Sequence, residues 1–108
     1  MLLFLVGLNL FAGTPVCDSG KVFKLLSDDN VGSRHQRFIV KLASGKTLLI
    51  AHNIDIAPKV APLQEGGVVN FCGDLETNDK GGVVHWTHRD PHNRHNGGFL
   101  EYNGKRYE

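Results

Sequence analysis

The sequence has no excess of charge of either sign, since its 108 residues carry 12 Lys and Arg against 11 Asp and Glu. A chain with a net charge of +1 lacks the broad positive field that holds nucleic acid, so an anion would have to bind to a local group of residues. The length leaves no room for a second domain, because the roughly 90 residues after the apolar N-terminus are near the lower limit for one hydrophobic core.

A hydrophobic run long enough to cross a membrane is also missing. The apolar stretch LLFLVGLNLFAG ends in small residues and has about a dozen positions, whereas a spanning helix needs about 20. It predicts a secretory signal segment over residues 1–16, cleaved between Ala12 and Val16, and an exported protein, periplasmic or secreted. Residues 17–108 are then a single small β domain with no membrane-embedded part. The alternative is that the stretch is a buried strand or helix.

Cysteine is scarce, and its two copies leave one possible bridge. Two cysteines in an oxidising compartment usually pair, so export predicts a Cys17–Cys72 disulfide. Closing a loop of about 55 residues would add about 4 kcal/mol to the free energy of unfolding. The alternative is two unpaired cysteines, with Cys72 an inert core residue.

A sustained helical period is absent as well. From Gly20 onward the chain consists of short β-branched and apolar segments separated by turn signals, which is typical of an all-β barrel or sandwich. We predict strands at 21–26, 36–42, 46–52, 68–72 and 83–87. Ser44-Gly45 predicts a hairpin between the second and third strands, and Asn103-Gly104 predicts a small hairpin in the tail.

The order of these strands favours one fold. Five strands with a proline-containing connector between the third and fourth predict a small five-stranded OB-like barrel with a C-terminal hairpin or tail. Its first strand would pair antiparallel with the fourth, which would bring the two cysteines close together. Strand alternation predicts that the core includes Phe38, Val40, Leu42, Leu48 and Ile50.

The chemically richest stretch is residues 83–95, VVHWTHRDPHNRH. It holds four of the six histidines, two arginines, an aspartate and the only tryptophan. Side chains of these types at this density must face solvent or bond to one another, so the stretch is not a simple amphipathic strand. We interpret it as the centre of a functional site, with Trp86 contributing to the core.

Polar residues from three separate segments are expected to meet at one edge of the barrel. The segments are the first long loop, the end of the third strand, and the fifth strand with the residues after it. The candidate catalytic residues are His35, His52, His88 and Asp90. The candidate substrate-binding residues are Arg34, Gln36, Asn53, Asp55, His85, Trp86, Arg89, Arg94 and His95.

Metal binding is weighed but not favoured. His85 and His88 have a spacing found in zinc sites, yet on a regular strand their side chains point to opposite faces. No pattern of three or four ligands with fixed spacing is present in the sequence, so the cofactor is unknown and a divalent metal is only an alternative.

Three motifs, SRHQ, HNID and HWTHxD, carry a resemblance that extends from Lys21 to Tyr107. With these motifs the chain resembles a family of small exported bacterial proteins of unknown function. The resemblance implies export, a single small β domain and a site formed by the residues that match the motifs. At Phe99-Leu100 the chain departs from the tryptophan-bearing segment expected there.

Two functions from different classes fit these residues. The first is a small hydrolase of phosphodiesterase or nuclease type. In it His35, His52 and His88 transfer protons, Asp90 orients an imidazole, and arginines hold an anionic small molecule or nucleic-acid fragment. The second is a non-catalytic OB-like module that binds an anionic or saccharide ligand through static contacts. The sequence does not identify a protein partner.

Overall fold

The computed structural model describes residues 13–108 and shows seven β-strands and no helix within that range. The strands are β1 (Thr14–Leu25), β2 (His35–Leu42), β3 (Thr47–Asn53), β4 (Val68–Glu76), β5 (Val83–His85), β6 (Phe99–Tyr102) and β7 (Lys105–Tyr107). This part of the chain therefore offers no helix that could span a membrane. Most of the signal segment predicted for residues 1–16 lies outside the described residues.

Five of the strands close into a barrel. β1 pairs antiparallel with both β2 and β4, β2 pairs antiparallel with β3, β3 runs parallel to β5, and β5 returns antiparallel to β4. The circular order β1-β2-β3-β5-β4 is that of an OB-type barrel. The prediction of a small all-β, OB-like barrel is confirmed.

The barrel interior is filled by the alternate side chains of its strands. Phe38 and Val40 on β2 and Leu48 and Ile50 on β3 are buried, as the alternation of the sequence predicts. Leu42 lies at the end of β2 and is only partly buried against this core. Both predicted turns are also present, since β2 is followed directly by β3 and β6 by β7 in antiparallel hairpins.

The turn residues adopt the backbone conformation that their sequence favours. Gly45 has a φ of 91°, and its amide donates to the carbonyl of Leu42 at 2.9 Å. Asn103 and Gly104 have φ values of 52° and 78°, the pair of positive angles that a tight hairpin turn requires. The β2–β3 hairpin and the tail hairpin are therefore both explained by their turn sequences.

β1 is the longest strand and has two partners. Its first half, which begins at Thr14 rather than at the predicted Lys21, pairs with β4, and its second half pairs with β2. At Gly20, where it passes from one partner to the other, a Cβ would lie 3.0 Å from the Cβ of Val40. The register with β2 then slips at Phe23, which is the extra residue of a β-bulge.

The predicted disulfide is present and joins two strands of the barrel wall. Cys17 of β1 and Cys72 of β4 are direct partners in the ladder, with Cα atoms 4.1 Å apart, and no cysteine of the described residues is free. The bridge fixes the first half of β1 onto β4. It therefore acts at the place where the N-terminal part of the barrel meets the C-terminal part.

The second edge of β4 is divided between two strands. β5 pairs with its end at residues 74–76, and β6 pairs with residues 69–72. Residues 86–98, which we call the seam segment, lie between these two strands in the chain and leave the ladder. β5 therefore ends at His85 and not at the predicted residue 87, because Trp86 has a φ of 60° and cannot continue the strand.

Candidate functional site

Two polar side chains point into the barrel at the end opposite the β2–β3 hairpin. Gln36 and His52 are partners on β2 and β3, and both are buried. Gln36 donates from Nε2 to the carbonyl oxygen of Val60 at 2.8 Å and accepts from the Val60 amide at 2.9 Å. Its side-chain amide therefore supplies both hydrogen bonds that a neighbouring strand would have given to the connector between β3 and β4.

His52 is fully buried, and both of its ring nitrogens are hydrogen bonded. Nε2 donates to the carbonyl oxygen of Pro58 at 2.9 Å, and Nδ1 accepts from the hydroxyl of Thr87 at 2.7 Å. The carbonyl can only accept, so the neutral ring carries its hydrogen on Nε2. Burial is the main reason that the pKa of His52 falls from 6.5 to about 4, and the charges of His88 and His35 lower it as well.

His35 and His88 are oriented in the same way. Nδ1 of His35 lies 2.9 Å from the carbonyl oxygen of Ser33, and Nδ1 of His88 lies 2.7 Å from that of Arg89. Each Nδ1 must carry a hydrogen to make this bond, so Nε2 of the neutral ring has a free lone pair.

These two Nε2 atoms differ from those of His52 in their availability. Among the described residues neither makes a hydrogen bond to protein, and neither belongs to the fully buried nitrogens that lack a partner. His35 is half-buried at the start of β2, whereas only 2% of the surface of the His88 residue is exposed. The Nε2 of each ring therefore has no protein partner among the described residues, the charges of both rings act on His52, and the His88 ring is almost entirely shielded from solvent.

The predicted group from the first long loop and the end of β3 is brought together beside His35. Asp55 accepts from the backbone N of Arg34 at 2.9 Å and from its Nε at 2.7 Å. The backbone hydrogen bond and then the guanidinium lower the pKa of Asp55. Asn53 accepts from the Asp55 amide at 2.9 Å through Oδ1, which closes a turn. The two terminal nitrogens of Arg34 stay available on this surface.

Asp90 organises the loop that follows His88. Its two carboxylate oxygens accept from the backbone N of His92 at 2.9 Å and of Arg94 at 2.7 Å. The hydrogen bond from His92 is the main reason that the pKa of Asp90 is lowered. Asp90 therefore holds a turn of the seam segment, and it does not hydrogen bond to an imidazole within the described residues. The neighbouring Arg89 faces away and pairs with Glu108 at 2.9 Å.

Trp86 is the most constrained residue of the site. A φ of 60° is rare for a bulky side chain and has a strain energy of order 1–3 kcal/mol. Its ring lies between two imidazoles, with centroid distances of 5.1 Å to His88 and 4.2 Å to His95. Its Nε1 is buried and lacks a hydrogen-bond partner among the described residues. Gly98 permits this geometry, since a Cβ there would collide with the Trp86 carbonyl oxygen.

Two more imidazoles contact carboxylates on β4. His95 Nε2 lies 2.7 Å from Asp74 Oδ2, while its Nδ1 faces the carbonyl oxygen of Asn96. Both ring nitrogens of His95 therefore face oxygen acceptors. His85 Nε2 lies 2.5 Å from Glu76 Oε2, but the two groups are not aligned for a hydrogen bond.

The sequence analysis missed two residues that contact the site. Thr87 was treated as a strand residue, yet its hydroxyl is the donor to His52. Asp74 lay beyond the predicted fourth strand (68–72), whereas β4 extends to Glu76 and Asp74 is 5% exposed beside the seam segment. The inward position of His52 did have a signal, because it continues the alternation of Leu48 and Ile50.

The site residues that contact one another, or whose charges act on His52, fall into two groups. The first, the histidine end, consists of Arg34, His35, His52, Asp55 and His88. The second consists of Trp86, His95 and the missed Asp74. Within residues 13–108, no group of three or more His, Cys, Asp or Glu side chains could hold a metal ion. Two grooves on the described surface, of about 640 and 340 Å³, are lined by other residues.

Comparison with known proteins gives one match. The model of a family described as "Protein of unknown function (DUF3465)" matches residues 12–108, which include every described strand. No curated protein and no solved structure matches the chain.

Proposed function

We propose, for a chain that belongs to the DUF3465 family of unknown function, that it is an exported hydrolase of phosphodiesterase or nuclease type. Its proton-transfer pair consists of His35 and His88. Histidine suits this role because its pKa is near neutrality, so one ring can accept a proton while the other donates one.

The observation that supports this proposal is that the His35 and His88 rings make the same kind of hydrogen bond. Each imidazole is bound through Nδ1 to a backbone carbonyl, at 2.9 Å for His35 and 2.7 Å for His88. This contact fixes the ring orientation and leaves Nε2 as the reactive atom. His52 lies near both rings, and because its pKa is about 4 it adds no positive charge at neutral pH.

The remaining site residues have supporting roles in this proposal. His52 and Asp90 become positioning residues, since their polar atoms are already occupied by Thr87, Pro58 and backbone amides. Arg34 is the anion-binding residue, because Asp55 engages only its Nε and leaves two nitrogens for a phosphoryl group. The substrate is therefore an anionic phosphodiester, either a small molecule or a nucleic-acid fragment.

Export is supported by the disulfide. Cys17 and Cys72 are bridged, and such bonds persist in oxidising compartments.

The test uses substitutions that remove only the reactive nitrogen. Asparagine places an amide nitrogen near the position of Nδ1, so His35→Asn and His88→Asn retain the bond to the carbonyl and lose Nε2. Turnover of bis-p-nitrophenyl phosphate and of a fluorophore–quencher oligonucleotide should fall about 10²–10⁴-fold in each variant. The exposed His92 provides the control, His92→Asn, which should keep full activity. Absence of turnover in the wild type, or equal turnover in all three variants, would refute the proposal.

A second candidate function is favoured by a different groove. The outer face of β2 and β3 carries a groove of about 340 Å³ that lies between Leu26 at the end of β1 and Lys80 in the β4–β5 loop. OB-type barrels bind oligonucleotides and oligosaccharides on this face. A non-catalytic module would bind such a ligand there without turnover. Lys80→Ala would then weaken binding, and His35→Asn would leave it unchanged.

A further inference from the structure

We propose a second binding site on β1 and β2, which takes a short single-stranded nucleic acid. It occupies a groove of about 640 Å³, whose lining includes Lys21, Phe23, Lys41 and Val68. Lys41 lies six positions from His35 on β2, about 20 Å along an extended strand. The site is therefore separate from the histidine end and does not depend on the proposed hydrolase.

The first observation is an exposed aromatic ring at the position of a backbone irregularity. Phe23 is 55% exposed, and Val68 beside the same groove is 50% exposed. Phe23 is the extra residue of the bulge in β1, where the register with β2 slips between Val22 and Lys24. Bulges redirect a side chain and are frequent at functional sites. Phe23 follows the buried Val22, so strand alternation turns its ring to solvent at the position of the bulge.

The second observation is a pair of like charges directly opposite one another. Lys21 and Lys41 are cross-strand partners, and neither forms an ion pair with a carboxylate among the described residues. Like charges in this arrangement destabilise a sheet. The nearest carboxylate in the groove, Asp18, accepts a hydrogen bond from the backbone of Ser19 at 2.7 Å. A bound anion would relieve the repulsion of the two ammonium groups.

The Phe23 ring and the two lysine amines together indicate which class of ligand the groove binds. Lys41 Nζ lies 5.3 Å from the centroid of the Phe23 ring, so positive charge and an exposed aromatic face occur side by side. Single strands bind to such surfaces by stacking a base on the ring and pairing phosphates with the amines, with little dependence on sequence. Simple polyanions use only the amines. The exposed ring therefore favours a single-stranded nucleic acid over an acidic peptide.

The test measures binding of fluorescein-labelled oligo-dT of twelve nucleotides by anisotropy, with the complete disulfide-bonded protein. Two phosphate contacts predict that log Kd rises with log salt concentration with a slope near 1.4, about 0.7 for each contact on a single strand. Phe23→Ala should weaken binding at least about fivefold, the lower end of the range for base–aromatic stacking. Lys21→Ala and Lys41→Ala should each reduce the slope by about 0.7.

Two substitutions outside the proposed site serve as matched controls. Lys105 also lies over an aromatic ring, 5.0 Å from that of Tyr107, but this tyrosine is buried. Lys105→Ala should keep full affinity, and so should Leu25→Ala, which removes another exposed apolar side chain of β1. Weakening by either control equal to that of Phe23→Ala would refute the proposal. So would lack of binding at low salt, or equal binding of a poly-glutamate peptide that Phe23→Ala does not affect.

Discussion

The buried His52 makes the stability of the protein depend on pH. The folded state keeps the ring neutral because its pKa is about 4, whereas the unfolded chain binds a proton near 6.5. As pH falls below 6.5 the unfolded state takes up the proton first. The free energy of unfolding therefore decreases as pH falls from 6.5 to about 4. Above pH 6.5 and below pH 4, protonation of His52 does not change it.

The size of the effect follows from the two pKa values. A difference of about 2.5, at about 1.4 kcal/mol for each pKa unit, gives a full loss of about 3 kcal/mol. By pH 5 about 2 kcal/mol of this should be lost relative to pH 7.5. Asp55, Asp90 and Glu108 also lose stability as pH falls, but they do so at lower pH than His52. Their lowered pKa values stabilise the fold above the ordinary carboxyl pKa, and this contribution is lost only below it.

Urea unfolding at pH 7.5 and pH 5 measures the difference. His52→Gln retains an amide near the position of Nε2, which can donate to Pro58, but has no group that titrates. It should be less stable than wild type at pH 7.5 because Thr87 loses its acceptor, yet it should lose about 2 kcal/mol less than wild type between the two pH values. His92→Gln is the control, since this side chain is exposed. An equal pH-dependent loss in wild type and His52→Gln would refute the assignment of a buried neutral ring.

Three further predictions concern the disulfide, Gly98 and the loop that Asp90 holds. Replacing both Cys17 and Cys72 by serine should lower the free energy of unfolding by about 4 kcal/mol in a denaturant titration, and intact-mass labelling should find no free thiol in the wild type. Gly98→Ala should destabilise by roughly 1–3 kcal/mol because its Cβ meets two carbonyl oxygens, whereas Gly97→Ala, with its nearest atom at 3.5 Å, should be close to neutral in thermal melts. Asp90→Ala should remove the hydrogen-exchange protection of the two loop amides bound by this carboxylate.

The parts of the fold that sequence could predict are those set by local rules. Alternation from Phe38 to Val40 and the glycine turn at Gly45 determine the β2–β3 hairpin without reference to the rest of the chain. The order of the strands then limited the topology, and the positions of Cys17 and Cys72 at neighbouring strand ends agreed with it.

The parts that failed depend on close approach between distant segments. The positive φ of Trp86 has no local signal, because it exists only where Gly98 lets the returning chain come near. The burial of Asp74 has the same origin, since the seam segment lies against an outward face of β4. The predicted catalytic role of Asp90 likewise took no account of its hydrogen bonds to its own loop. Whether this residue and the histidines form an active site stays a prediction.

The division of the β4 edge between β5 and β6 has a consequence for how this protein can change during evolution. The seam segment packs beside β4 and also carries Trp86, His88 and His95, so in the proposed hydrolase one stretch of chain serves packing and chemistry together. Substitutions that alter ligand preference there will often reduce folded yield, and compensating changes will be needed elsewhere in the barrel. The β1–β2 groove is free of this coupling, since its exposed side chains can vary without disturbing the core. New binding preferences should therefore arise more readily on the β1–β2 face than at the seam.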